Sequence, residues 1–220
     1  PAGPQVKRLK PRPAALDQAR RIRMTDRVGL ARLDLEWPTV PAFSPDDAAL
    51  DVLAEVLAGG KSSRLDKVLV REKQVAQSVD AYHGSAEIAG TFSIDAIARP
   101  GRTLAELEAA VREEVARIQA EPPTAREVAG AVNRIETRMV RGLESVGGFG
   151  GRADLLNSYN HFTGDPGYLV KHLESYRRVK PADVRRVARK YLGDKLVALE
   201  VVPGEELSIS PDPRKPAEAA

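Results

Sequence analysis

The fold is decided by residues 53–81, LAEVLAGGKSSRLDKVLVREKQVAQSVDA, in which a helical pattern gives way to a strand pattern. The leucines of its first part continue a stripe that starts at Leu50, so they share the buried face of one helix. That helix is predicted to begin at Ser44-Pro45-Asp46-Asp47, with Ser44 as the N-cap, and to end at Gly59-Gly60. After a second short helix around Leu65, residues 75–83 are predicted to form a strand.

Three further segments are predicted to be strands. Residues 31–37 alternate apolar and charged side chains and end at Pro38, which is the pattern of a strand with one buried face. Residues 88–98 are predicted to pair with residues 75–83 as a hairpin across Gly84-Ser85. Residues 196–202 are almost all apolar, and this predicts a central position in the sheet.

Two long helices are marked by capping boxes. Thr103 with Glu106, and Thr124 with Glu127, stand at the three-residue spacing at which a hydroxyl and a carboxylate cap each other's backbone N–H groups. The two helices bury apolar stripes over residues 104–118 and 128–139. Further helices are predicted from about residue 151 to 162 and from 181 to 191.

This order of elements predicts an α+β fold, in which a mostly antiparallel sheet of four strands carries helices packed on one face. Trp37, Phe92 and Val201 are predicted to lie toward or beside the two long helices. We predict one domain over residues 20–204, preceded by a linker or N-terminal extension at 1–19 and followed by a mobile tail at 205–220.

Composition excludes several classes of function. The 220 residues are 42% hydrophobic, enough to bury a core, and the absence of cysteine excludes disulfides, thiolate nucleophiles and cysteine-ligated zinc. Basic clusters at residues 7–27 and 177–190 are interrupted by acids, and the formal net charge is only +3, so we predict no nucleic-acid partner. No apolar run approaches the roughly 20 residues of a membrane span. The Pro- and Arg-rich start without Met suggests processing or trimming of a longer protein.

Motifs for metal or phosphate binding are incomplete. His83, His161 and His172 are the only imidazoles, and no pair has the spacing that lets a helix hold zinc. Residues 148–153 match G-x-G-x-x-A, but the segment follows a predicted helix rather than a strand, so we interpret it as a place where a helix breaks and restarts. Gly59-Gly60-Lys61-Ser62 lacks the first glycine of a phosphate loop, since Glu55 stands there. We therefore assign no metal ligand and no nucleotide site.

Two segments nevertheless resemble a known family. The series LAGGKSSRL at residues 57–65 and VREKQVAQSV at 70–79 closely resembles the pitrilysin/insulinase family of inverzincin metallopeptidases, in particular the C-terminal half of its processing-peptidase-like members. The resemblance covers about residues 20–204, and GGRADLLNSY at 150–159 resembles the segment that carries the family's Arg/Tyr pair. It implies that Arg152 and Tyr159 bind substrate by donating hydrogen bonds to the peptide carbonyl region.

The spacing of Arg152 and Tyr159 is compatible with that role, because seven residues are two helical turns and place both side chains on one helix face. The ordinary alternative is that Arg152 is a solvated charge and Tyr159 packs its ring. The resemblance also implies that zinc is bound by an H-x-x-E-H motif in the other half of such proteins. This chain is therefore predicted to have no catalytic residues of its own, to bind no zinc or other cofactor, and to be inactive alone.

Two functions of different class follow. The chain is either the substrate-binding, non-zinc half of a zinc endopeptidase, or a non-catalytic scaffold of the same fold, like a core subunit of a respiratory complex. The implied partners are a peptide substrate and an N-terminal catalytic half or a paralogous H-x-x-E-H subunit, in a homo- or heterodimer. We expect a soluble bacterial protein of the cytoplasm or periplasm, and the sequence does not identify the peptide.

Overall fold

The computed structural model describes Pro13 and residues 15–210, which form one six-stranded sheet and six α-helices. The helices are α1 (Asp47–Ala58), α2 (Leu104–Ala120), α3 (Ala125–Gly142), α4 (Arg152–Thr163), α5 (Leu169–Arg177) and α6 (Pro181–Tyr191). The strands are β1 (Arg20–Asp26), β2 (Arg32–Thr39), β3 (Ala76–Ser85), β4 (Gly90–Ala98), β5 (Val197–Pro203) and β6 (Ser208–Ser210). A π-helical segment at Asp66–Glu72 connects α1 to β3.

The sheet has the order β3-β4-β2-β5-β1-β6, and only the β1–β5 pair is parallel. The prediction of a mostly antiparallel sheet is confirmed, and β5 is central as expected. The predicted number of four strands is wrong, because β1 and β6 were not recognised. β6 lies within the segment predicted to be a tail, while residues 1–12, 14 and 211–220 lie outside the described residues. The predicted linker and tail boundaries therefore stay predictions.

Helices cover one face of the sheet, as the predicted fold class requires. Leu33, Leu35 and Trp37 on β2 and Phe92 and Ile94 on β4 are all at most 2% exposed and pack in one core with α1, α2, α3 and α6. The indole N–H of Trp37 donates to the carbonyl oxygen of Gly193 at 2.8 Å, so the one polar atom of this side chain is satisfied. Both predicted capping boxes are present, at the starts of α2 and α3.

Val201 lies on the opposite face from the one predicted. It pairs with Arg32, one residue before the core residue Leu33. Because successive side chains of a strand point to opposite faces, Val201 lies away from the helices, and it does not belong to the core cluster. Trp37 and Phe92 do face the helices, as predicted.

Some predicted boundaries are also wrong. Pro38 lies inside β2 rather than at its end. The pairing of β2 with β5 has already ended at Glu36, so the N–H that proline lacks removes no hydrogen bond from the sheet. The hairpin turns at residues 86–89 rather than at Gly84-Ser85. The N-cap of α1 is Asp46 instead of Ser44, whose hydroxyl donates to the carbonyl oxygen of Pro41 at 2.6 Å. α5 was not predicted.

The start of α1 is fixed against α6. Asp46 accepts hydrogen bonds from Arg186 at 2.6 Å, Lys190 at 2.8 Å and the hydroxyl of Tyr191 at 2.6 Å. Burial acts in the opposite direction, but these bonds together lower the pKa of the Asp46 carboxyl to about 2. These bonds attach the start of α1 to α6, and the loop that precedes α1 reaches the candidate site through Phe43.

Candidate functional site

The helix that carries Arg152 and Tyr159 starts from a glycine-rich loop. α3 ends at Gly142 and α4 begins at Arg152, so the G-x-G-x-x-A segment connects two helices and its interpretation as a helix restart is confirmed. Gly148 and Gly150 have φ values of +81° and +78°, a region that favours glycine. The N–H of Gly150 donates to the Asp154 carboxylate at 2.9 Å, which ties the loop to the first turn of α4.

The structure places Arg152 and Tyr159 on the same helix but in different environments. Arg152 is the first residue of α4 and is exposed, whereas Tyr159 is only 1% exposed and is the one buried residue of that helix. Within the described part of the chain, no hydrogen bond or salt bridge joins the two side chains. The helix predicted for this stretch is confirmed, while the role of both residues stays a prediction.

Tyr159 is buried in a group of rings that we call the aromatic cluster. Phe43 lies near its centre, with ring centroids 5.9 Å from Tyr159, 5.5 Å from Tyr168 and 5.0 Å from His172. Phe43 has a φ of +59°, an unfavourable value for a non-glycine residue, and we attribute its retention to this packing. The aromatic cluster consists of Phe43, Tyr159, Phe162, Tyr168, His172 and Tyr176.

The hydroxyl of Tyr159 is engaged inside this cluster. It lies 3.0 Å from Nδ1 of His172, which is on α5. Burial, with a smaller effect from Tyr168, raises the pKa of the Tyr159 phenol to about 12, so the phenol keeps its proton at neutral pH and can donate it in a hydrogen bond. Burial lowers the pKa of His172, although Asp51 acts in the opposite direction, so the imidazole is neutral at neutral pH and Nδ1 can accept.

A set of polar side chains, joined by hydrogen bonds, extends from the aromatic cluster into the core. The hydroxyl of Tyr176 donates to Oδ2 of Asp51 at 2.6 Å, and Oδ1 of Asp51 lies 3.0 Å from Nδ1 of His83. The other ring nitrogen of His83 lies 3.0 Å from the hydroxyl of Thr39. We call these four residues, with the neighbouring Asp47, the buried polar network.

The buried polar network contains a hydroxyl, an imidazole and a carboxylate, which are the residue types of a nucleophile, a base and an orienting group. A substrate, however, cannot reach them. The side chain of His83 is fully buried and Thr39 is 9% exposed at the end of β2, so a substrate carbonyl cannot approach the hydroxyl. Burial, followed by the charge of Asp51, raises the pKa of the Asp47 carboxyl. The network joins β2, β3, α1 and α5 through hydrogen bonds.

Sequence reasoning missed both His172 and the buried polar network. Thr39, Asp51, His83 and Tyr176 lie far apart along the chain and meet only because α1 packs on β3 and α5 packs on α1. No pattern of nearby residues in the sequence predicts such contacts. His161 and His172 are in separate environments, since His161 is exposed and faces Glu87 at 3.7 Å.

The described residues contain neither a metal-binding cluster nor a membrane-spanning helix. No group of three or more histidine, cysteine or acidic side chains in residues 13 and 15–210 is arranged to hold a metal ion. In the same part of the chain, no helix is both long and apolar enough to cross a membrane. The described residues therefore do not fit a catalytic zinc ion.

Residues 1–135 match the peptidase M16 inactive domain. The chain belongs to the peptidase M16 family. An uncharacterized zinc protease of Streptomyces coelicolor is 30% identical over 145 residues, which cover 66% of this chain and 31% of that protein. The family resemblance predicted from the sequence is confirmed.

Several solved structures share this fold. A protease from Helicobacter pylori has a TM-score of 0.75 at 22% identity, over 86% of this chain and 45% of that one. A peptidase M16 inactive domain from Pseudomonas fluorescens has a TM-score of 0.70 at 21% identity, over 92% and 47%. An inactive peptidase domain from Bordetella parapertussis, with a TM-score of 0.64 at 23% identity, is matched over 81% of this chain and 96% of its own length.

The chain spans about a third of the Streptomyces coelicolor protein and just under half of the Helicobacter pylori and Pseudomonas fluorescens chains. The M16 family match ends at residue 135, so it does not include α4 and α5. The assignment of Arg152 and Tyr159 therefore depends on the sequence of residues 150–159 and on the geometry of α4.

Proposed function

We propose that this M16 chain is the substrate-binding half of a zinc endopeptidase whose zinc ion is held by another half or subunit. The observation that carries the proposal is the placement of a guanidinium and a protonated phenol on one helix, α4, in a domain of this family. Zinc in the partner would activate the attacking water, since the described residues of this chain contain no group of three or more histidine, cysteine or acidic side chains arranged to hold it. The partner is an N-terminal catalytic half or a paralogous subunit that carries H-x-x-E-H.

The surface around α4 supports an interaction with another protein segment. Val146 and Phe149 in the glycine-rich loop and Leu156 on α4 are all more than half exposed. Exposed large apolar side chains that occur close together along a loop and helix are typical of surfaces that are covered in a complete protein. Arg152 lies in the same segment, so a peptide or a partner that covered this surface would meet its guanidinium.

The chemistry required of Arg152 and Tyr159 is hydrogen-bond donation to a peptide carbonyl. A guanidinium stays charged at every accessible pH and presents several N–H donors in a fixed plane. The phenol of Tyr159, with its pKa of about 12, also remains a donor. Such donors stabilise the negative charge that develops on the carbonyl oxygen during hydrolysis, and one of them contributes up to about 4 kcal/mol.

The scaffold alternative is favoured by one observation. Tyr159 is 1% exposed and its hydroxyl is already bonded to His172, so in this arrangement the phenol packs within the chain. If that arrangement persists in the complete protein, the tyrosine is structural. The substrate-binding proposal therefore requires the Tyr159 side chain to leave His172 when a peptide is bound.

The test is kinetic and uses the chain together with the half that bears the zinc motif. We expect Tyr159→Phe to lower kcat about tenfold to a thousandfold, because one hydrogen-bond donor to the oxyanion is lost. Arg152→Lys should also lower kcat, since an ammonium group does not reproduce the planar guanidinium. Tyr82→Phe and Arg178→Lys are controls, because they make the same changes at exposed residues outside the aromatic cluster and should leave kcat unchanged.

Thermal melts of each variant separate a loss of catalysis from a loss of fold. Wild-type kcat in folded Tyr159→Phe and Arg152→Lys proteins would refute the substrate-binding role and leave the scaffold function.

A further inference from the structure

His172 is the one polar partner of the Tyr159 hydroxyl among the described residues. The ring of His172 lies 5.7 Å from the Tyr159 ring at an interplanar angle of 89°, so the two rings meet edge to face while the hydroxyl reaches Nδ1 at 3.0 Å. His172 also packs against the ring of Tyr176, with centroids 4.9 Å apart and an interplanar angle of 38°. The imidazole is therefore held by packing against two rings and presents one nitrogen to the phenol.

This contact has a consequence for substrate binding, because a phenol carries only one proton to donate. When the hydroxyl donates to Nδ1 of His172, it cannot donate to a peptide carbonyl at the same time. Tyr176, the residue against which His172 packs, is itself anchored by its bond to Asp51 at 2.6 Å. His172 is thus tied to α1, whereas Tyr159 belongs to α4, which has no other buried side chain.

We propose that His172 is a positioning residue that holds the Tyr159 phenol in a resting position and competes with the peptide carbonyl for its hydrogen bond. The proposal rests on the substrate-binding function proposed above for Tyr159. In the resting position the neutral imidazole has its proton on Nε2 and accepts through Nδ1. Substrate engagement exchanges this acceptor for the carbonyl oxygen of the peptide.

The exchange depends on the charge of His172. A protonated imidazole carries N–H groups at both nitrogens and cannot accept a hydrogen bond, so acidification releases the phenol proton for the peptide. The other titratable or charged groups around His172 lie on α4, α1 and the segment from Tyr168 to α6; they are Tyr159, Asp47, Asp51, Tyr168, Tyr176, Arg178, Asp183 and Arg186.

The first test uses NMR of the imidazole nitrogens in the chain alone, and it does not depend on peptide binding. The chain has three histidines, so three pairs of imidazole nitrogen signals are expected. We expect neutral His172 to be the Nε2–H tautomer, and we expect its pKa to rise in Tyr159→Phe, because the lost O–H donor stabilises the neutral ring. Tyr82→Phe, at a half-exposed residue of β3 outside the aromatic cluster, should leave the His172 signal unchanged. A proton on Nδ1, or a His172 pKa that Tyr159→Phe does not move, would overturn the proposal.

The second test measures KM and kcat in the enzyme reconstituted with its zinc-bearing half. His172→Phe keeps an aromatic ring but removes the acceptor, and we expect KM for a peptide to fall about two- to tenfold with kcat little changed. His172→Asn keeps an acceptor near the position of Nδ1 and should retain the wild-type KM. A purely structural role would instead make the two variants change in the same direction.

The pH profile gives a readout that packing alone would not change. Relative to His172→Asn, the wild type should show a KM that falls as the pH drops through the pKa of His172, and equal profiles would count against the proposal.

The experiments distinguish failure of the substrate-binding proposal from failure of the proposal for His172. Unchanged kcat in Tyr159→Phe refutes the substrate-binding function, whereas a Tyr159 effect without a difference between His172→Phe and His172→Asn refutes only the competition by His172.

Discussion

α1 and α4 have the same length of 12 residues, but the chain uses them differently. α1 buries nine of its side chains, including Leu50, Leu53 and Leu57 at 0% exposure, whereas α4 buries only Tyr159. The start of α1 is held by three hydrogen bonds to Asp46 from α6, whereas the start of α4 follows a loop with four glycines. α1 is therefore part of the core of this domain, whereas most side chains of α4 are not buried in it.

The largest expected effect is in the core helix. Leu53→Ala removes a fully buried side chain between α1 and the sheet, and we expect the free energy of unfolding to fall by about 2–5 kcal/mol, because lost burial and the remaining cavity both contribute. Urea titration followed by circular dichroism measures this change. A loss below about 0.5 kcal/mol would mean that α1 is not packed in the core of the domain.

The contact between α1 and α6 makes stability depend on pH. The pKa of Asp46 is lowered to about 2 from an ordinary value of 3.8, so its contribution is fully present above pH 3.8 and is lost as the pH falls through 2. The shift corresponds to about 2 kcal/mol at neutral pH. We expect Asp46→Asn to be less stable than the wild type at pH 7, and the difference to shrink between pH 4 and pH 2. A difference that is constant over this range would show that Asp46 acts through something other than its charge.

The sequence predicted the core helices well because their signals are local. The capping boxes of α2 and α3 and the leucine stripe of α1 lie within single elements. β1 was missed because its sequence, RRIRMTD, is rich in arginine and its parallel partner β5 is distant along the chain. The charge of Arg21 is compensated by Glu108 and Glu200, on α2 and β5, which no local pattern reveals.

The candidate site was predicted only in part for the same reason. The helix that carries Arg152 and Tyr159 was recognised, and their spacing is a local property. The burial of Tyr159 depends on Phe43, which follows β2, and on His172 of α5, a helix that was not predicted. Contacts between distant segments are set by the packing of the whole domain, so a helix-face argument does not show whether a side chain on that face is exposed.

The smallest expected effect on stability is on the exposed side of α4. Leu156 is 52% exposed, and because truncation of an exposed side chain removes few contacts, Leu156→Ala should change the free energy of unfolding by less than about 0.5 kcal/mol. Val170→Ala, at 63% exposure on α5, is the matched control. In the presence of the zinc-bearing half, Leu156→Ala should weaken association while Val170→Ala should not, as measured by titration calorimetry. A loss of stability above 1 kcal/mol in the chain alone would show that α4 packs within its own domain as α1 does, and unchanged association would place the partner on another surface.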